Sequence, residues 1–386
     1  MPHVSFLQRQ LCTSALVLLS YVGLLDVVAT ATAAPITNAP IMPLAEQSLL
    51  LDISRAGERL VVAGERGHIL YSDDDGRSWT QSQVPTRKML TALFFVDEHN
   101  GWAVGHDGLV LATDDGAVTW RIQRDGLAVQ QQLNIEQREL ALRRLASQEK
   151  QADASDAVAA EQLEEAELDL EDANLALSEP VFTSPLMDIW FQNANEGWAV
   201  GAFGTLLATD NGGERWQTLS TVLDNPEEFH LNSVVGDDDG KLFIAGEGGL
   251  MYRSTDSGRN WHKLPPVYDG SWFAALYCRV TDTLLTMGLR GNLYRSNDFG
   301  DSWQQVLLNI EQTLAGGNAC PDSQSTVSIA GAGGTVLLSD DGGSTFTLHR
   351  GDKGSNLGSA IANDSRVIAV GQGGIYRRLK GDEYAR

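Results

Sequence analysis

The side chains with the most chemical promise sit in glycine turns. Glu65, Asp107 and Glu247 each fall inside a Gly-x-x-Gly tetrapeptide, as do Arg66 and Arg290. Two carboxylates facing each other across a cleft can hydrolyse a glycosidic bond, and an arginine beside them can hold an anionic substrate. Other chemistry is thinner. His68, His99, His106, His230, His262 and His349 show no metal-ligand spacing. No Gly-x-Ser-x-Gly nucleophile elbow occurs. Asp237-Asp238-Asp239-Gly240 looks calcium-like, but a short turn between strands accounts for it. No metal and no cofactor is expected. A net charge of −23 over 386 residues removes nucleic acid as a partner, because a phosphate backbone needs a basic footprint.

The turns that carry these residues repeat. The first glycines are Gly64, Gly105, Gly201, Gly246, Gly288, Gly331 and Gly371, at successive spacings of 41, 96, 45, 42, 43 and 40. One interval is too long and must hold an insertion. Without it and the N-terminal leader, seven units of about 42 residues remain, the length of a four-stranded propeller blade. The first unit places strands at 49–54, 59–63, 67–72 and 78–83, each rich in Val, Ile or Leu and bounded by Gly or Asp.

A second signature, Ser/Thr-x-Asp-x-Gly-x-x-Trp, follows six of the turns. Three copies are complete: Ser72-Asp74-Gly76-Trp79, Ser254-Asp256-Gly258-Trp261 and Ser296-Asp298-Gly300-Trp303. Ser339-Asp341-Gly343-Phe346 substitutes Phe, Thr209-Asn211-Gly213-Trp216 substitutes Asn, and Thr113-Asp115-Ala117-Trp120 loses its Gly. The acid is expected to accept backbone N–H groups two residues on. Glycine takes the positive-φ position, and the aromatic fills the space between sheets. This is the Asp-box, or BNR, repeat. Together with the lines Gly101-Trp102-Ala103-Val104-Gly105 and Gly197-Trp198-Ala199-Val200-Gly201, it resembles the photosystem II stability/assembly factor-like family of seven-bladed propellers. The resemblance covers residues 48–123 and 181–378.

The expected fold is all-β: a seven-bladed β-propeller with an inserted antiparallel α-helical hairpin. Residues 1–33 read as a signal peptide, with Arg9 before an apolar run and small residues at Ala31 and Ala33. Cys12 has no small-residue box before it, so no lipoprotein is expected. Residues 34–123 form blades one and two plus a closing strand at 36–44 that completes blade seven. Residues 124–180 form the hairpin, and 181–386 form blades three to seven. In the hairpin, Ala159, Leu163, Ala166, Leu170, Ala173 and Leu177 recur as a coiled-coil seam. The first arm offers the pairs Leu133/Leu140 and Ile135/Leu142. Cys278 and Cys320 occupy equivalent places in neighbouring units, which leaves both a disulfide and two free thiols open.

Connections between blades and the Gly-x-x-Gly turns share one face of a propeller, so the hairpin rises beside the turns. The middle turn residues differ from blade to blade, the pattern of a recognition surface. Its candidates are Arg66, Arg87, Lys88, His106, Asp107, Phe203, Glu247, Trp272, Arg290 and Gln372. The resemblance implies a non-enzymatic, exported scaffold that binds a membrane protein complex or assembly intermediate, as photosystem II assembly factors do, or serves a transporter as an exporter accessory. The turn face and hairpin would hold the partner. The chain would be periplasmic, or lumenal in a photosynthetic host, and soluble rather than membrane-spanning. The alternative is a sialidase-like glycoside hydrolase or a carbohydrate-binding propeller. Against it, no Arg-Ile-Pro element stands in place, since Arg121-Ile122-Gln123 lies past an Asp-box, and neither Tyr268 nor Tyr294 sits in a nucleophile motif.

Overall fold

The computed structural model describes residues 37–151, 157–320, 324–350, 354–362 and 366–379. The expected signal peptide lies outside them. The described chain forms seven antiparallel sheets arranged as propeller blades. Six have four strands in sequence order, and the seventh has three among the described residues. The innermost strands are Leu50–Ala56, Leu90–Phe95, Leu186–Phe191, Leu231–Gly236, Trp272–Cys278, Leu314–Ala319 and Leu357–Ala362. The second strand of each blade is almost wholly apolar and buried, as Gly101–Gly105 and Gly197–Gly201 show. Clusters of these side chains fill the wedges between adjacent blades.

Every innermost strand bulges at the same point. Register slips by one residue between Leu50 and Asp52, and at the matching place in the other six blades. A bulge adds twist and re-aims the next side chain. The re-aimed residues are Asp52, Ala92, Asp188, Ser233, Ala274, Gly316 and Ser359, and they line a central cavity of about 560 Å³.

The Asp-boxes hold the outer turns. In all six copies the hydroxyl at the first position accepts the N–H of the fifth, at 2.7 to 3.1 Å. The carboxylate or amide accepts the N–H four residues on, not two as expected, at 2.8 to 3.0 Å. The reason is the hydroxyl: it takes the nearer amide, and the acid reaches past it. Asp298 is drawn down to about 2 by the hydroxyls of Ser302 and Ser296. Ala117 adopts φ 73 where the other copies use glycine.

Ring closure departs from expectation. Residues 37–44 form no strand. Pro40 and Pro43 remove two ladder donors, and blade one captures the segment instead. The Ala39 N–H donates to Val84 O, the Gln81 amide donates to Pro40 O, and Gln81 Oε1 accepts the Met42 N–H. Blades seven and one are joined by an apolar cluster containing Leu50, Ile53, Ile361, Ile368 and Val370. Side chains clasp the seam: Asn318 donates to Ile53 O and Ala360 O, and Arg377 reaches Glu46 at 2.8 Å. Cys278, the last residue of the innermost strand of blade five, and Cys320, just past that of blade six, form a disulfide with Cα atoms 5.2 Å apart.

The insertion is a pair of packed helices, α1 (Gly126–Gln151) and α2 (Ala157–Ser178). The α2 seam follows the expected spacing, with Ala166 and Ala173 buried. The α1 seam does not. Leu133, Ile135, Leu140 and Leu142 are exposed, while Asn134 and Ala141 face α2. Polar reach explains the choice. The Asn134 amide donates to Ala176 O, Arg138 to Asn174 Oδ1, and Arg144 pairs with Glu165 and Asp169. Small and polar residues bring the helices together, and the large apolar ones are left outside.

Candidate functional site

The turn face is built from one device used seven times. After the second strand of each blade comes a glycine with extended backbone. A Cβ on Gly64 would stand 2.1 Å from Leu49 O, and the six equivalent glycines meet the same carbonyl at 2.1 to 2.4 Å. No side chain fits there. The next residue donates its N–H to that carbonyl: Glu65 to Leu49 O, His106 to Met89 O, Gln372 to Asn356 O, and so around the ring. The third and fourth turn residues then take positive φ. Only the second and third positions are free to vary; the third faces outward in every blade, whereas the second ranges from exposed at His106 and Gln372 to buried at Ala202.

At the third position three blades use glycine: Gly248, Gly333 and Gly373. The other four use Arg66 (φ 56), Asp107 (φ 59), Phe203 (φ 54) and Arg290 (φ 56). A left-handed conformation costs a residue with a Cβ about 1–2 kcal/mol relative to glycine. Four side chains are therefore displayed on one face at a local cost, a pattern associated with binding surfaces.

The structure distributes the sequence candidates unevenly. Arg66, His106, Arg290 and Gln372 are exposed on the turns. Arg87 is exposed and donates to Asn38 O. Phe203 stands half exposed, edge-on to Phe182 at 6.3 Å and to His230 at 5.1 Å. Lys88 and Asp107 act at the root of the hairpin: Lys88 Nζ lies 3.3 Å from Asp107 and 3.5 Å from Asp125, just before α1. Glu247 accepts the His230 N–H, as Glu65 accepts that of Leu49, so both carboxylates cap the entry to an innermost strand. Trp272 corrects the reading. It is 0% exposed, because it opens an innermost strand at the position Leu50 and Leu90 occupy elsewhere, and it packs against Tyr268 and Tyr294.

Two groups were not singled out from the sequence. Phe182 extends the aromatic patch around Phe203 and is itself exposed. Its signal was a seven-residue step from Leu175, which is hidden because the stronger seam runs on other residues. Asp52 and Asp188 line the central cavity, and burial pushes their carboxyls up, to about 6 and about 7. The Asp52 charge adds to the shift at Asp188. Each is also tied to the next blade. Asp52 accepts the Leu93 N–H, and Asp188 accepts the Val234 N–H and the Ser233 hydroxyl. Their oxygens latch neighbouring blades together. The only sequence clue was an acid between two apolar residues of an innermost strand, Leu51 and Ile53 in one blade and Met187 and Ile189 in the other.

The sequence profile of the family described as Photosynthesis system II assembly factor YCF48 matches residues 73–144 and 173–313, more than half of the chain. The gap in the match falls inside the hairpin. A Photosystem II assembly lipoprotein Ycf48 from Synechococcus sp. (strain CC9902) is 27% identical over 200 residues, 51% of this chain and 59% of that protein. The chain thus aligns with little more than half the length of that relative. Among solved structures, YCF48 bound to D1 peptide aligns with a TM-score of 0.57 at 15% identity, covering 91% of this chain and 96% of that one. YCF48 from Cyanidioschyzon merolae gives 0.58 at 16% identity, covering 89% and 98%. These structural likenesses show the propeller fold.

Proposed function

Because the chain belongs to the Photosynthesis system II assembly factor YCF48 family, we propose that it is an exported docking scaffold without catalytic activity, which holds a membrane protein or its assembly intermediate on the turn face beside the hairpin. The observation that carries this reading is the left-handed quartet. Arg66, Asp107, Phe203 and Arg290 keep their side chains at positions where glycine is cheaper, and all four stand on one face. A solved relative is described as bound to D1 peptide, which supports a peptide segment of a membrane protein as the class of ligand. The photosystem and a transporter are the two settings for such a segment. A scaffold rather than a hydrolase also fits Glu65 and Glu247, whose carboxylates are engaged by backbone N–H groups.

Export by the leader at 1–33 delivers the chain to the periplasm or a thylakoid lumen, and cleavage near Ala33 would appear on N-terminal sequencing. Among the described residues no helix is long and apolar enough to cross a membrane. The docking test is recovery of partners from detergent-solubilised membranes by three proteins: the full chain, a form with residues 124–180 replaced by a short linker, and the double variant Arg66→Gly, Arg290→Gly. The full chain should retain a membrane protein that both altered forms lose. Equal recovery by all three would overturn the reading.

A further inference from the structure

A line of exposed apolar side chains runs from the hairpin onto blade three. Leu168, Leu175 and Phe182 follow at intervals of seven. Leu168 and Leu175 are each 55% exposed and Phe182 is 67% exposed. Seven residues make about two helical turns, so the two leucines share one face of α2. That face is opposite Ala166 and Ala173, which are buried against α1. Phe182 lies just past the helix, in the extended connection to blade three, and meets Phe203 edge-on. Phe203 is 50% exposed at its left-handed turn position. The strip therefore comprises two leucines on the outer face of the hairpin and, past residues 178–181, an aromatic pair at the turn face.

Acids edge it. Glu164, Glu171, Asp172 and Glu179 project around the same outer face of the helix, and none makes an ion pair among the described residues. No basic residue stands between positions 161 and 179. The exposed leucines of α1 lack this signal, since acids and bases alternate around them. A second copy would bring acid against acid on a chain of net charge −23, and an anionic lipid surface would be repelled in the same way.

We propose that this strip receives a basic amphipathic helix from a partner protein. Its apolar side chains would cover Leu168, Leu175, Phe182 and Phe203, and its lysines or arginines would pair with Glu164, Glu171, Asp172 and Glu179. This rests on the docking-scaffold reading and specifies the chemistry of the segment that is held. Helix-in-groove recognition works by such spaced anchors, and charge along the edges sets orientation and partner choice.

The test uses the full chain and two fluorescent peptides of about 21 residues, long enough for several helical turns. One is a leucine–lysine helix with its leucines on one face. The other is a scrambled peptide of identical composition. Anisotropy should show the amphipathic peptide binding roughly tenfold or more tightly than the scrambled one, and Leu168→Ser with Leu175→Ser should erase that difference. Both positions are exposed, and an unchanged melting curve would confirm that the variant folds. Equal binding of the two peptides, or an unaffected double variant, would overturn the proposal. So would phosphatidylglycerol vesicles or self-association responding to the double variant in the peptide's place. If the serine variant still recovers the membrane partner while the Arg66→Gly, Arg290→Gly form does not, the strip fails and the scaffold reading stands. If neither loses the partner, the scaffold reading fails as well.

Discussion

Replacing Asp188 with asparagine tests whether the cavity carboxylates latch the ring under strain. The folded state raises this carboxyl from 3.8 to about 7, chiefly by burial. A raised value means that the folded chain holds the proton more tightly than the unfolded one. The stabilisation is complete below about pH 4 and is lost as pH rises through 7. Three pH units correspond to about 4 kcal/mol. Asparagine has nearly the same shape, can still accept the Val234 N–H, and does not titrate. Urea unfolding followed by tryptophan fluorescence, at about pH 4.5 and about pH 8, should show the natural chain losing about 3 kcal/mol more than the variant across that interval. Asp52 titrates in both proteins, and because its charge acts on Asp188 the difference reports Asp188 together with that coupling. Parallel pH profiles for the two proteins would refute the argument, because they would mean the carboxylate is solvated in solution.

Trp120→Ala should cost about 3–5 kcal/mol, since that indole is buried against Phe95; Trp79→Ala, at a half-buried copy of the same box, should cost less in the same denaturation series. Replacing Cys278 and Cys320 with serine opens a cross-link across 42 residues and should remove about 4 kcal/mol, readable as a lower melting temperature that reducing agent reproduces in the natural chain. Phe203→Gly should raise stability by about 1 kcal/mol by relieving its backbone while weakening capture of the amphipathic peptide, and a variant that loses both would contradict the assignment. Below about pH 4 the Asp-boxes act in the opposite sense to the cavity acids. Asp298, drawn down to about 2 by its serine hydroxyls, stabilises the fold above that range and ceases to as pH falls through it, so a calorimetric scan from pH 5 to 2 should show stability dropping.

The ring was legible in the sequence because its rules are local. A glycine that cannot carry a Cβ, a hydroxyl that takes one amide and an acid that takes another recur on the chain at fixed offsets, and each copy repeats the same geometry. What depended on distant partners was harder to read. Trp272 looked like a surface aromatic because the connecting loop ends there, yet its place in the repeat makes it core. The closing strand at 36–44 was inferred from a missing partner, but the side chain of Gln81 outcompeted the open edge for the same backbone groups. In the hairpin, leucine pairs predicted the wrong seam on α1, since asparagine and arginine reaching across can outweigh greasy contact when the facing residues are alanines. Of the candidate site, the outward turn positions were readable. Phe182 and the two cavity acids were not, because their significance arises only when residues from separate blades meet.

The joint between the last blade and the first follows from this. Many circular assemblies are bolted by one strand shared between the two ends of the chain, and among the described residues that duty falls here to an oily wedge and a few clasping side chains, Asn318 and Arg377 among them. Such a joint can be pulled apart one fastening at a time. Force applied to the two termini would open the circle there first, turning a closed wheel into a curved ribbon before any sheet comes undone.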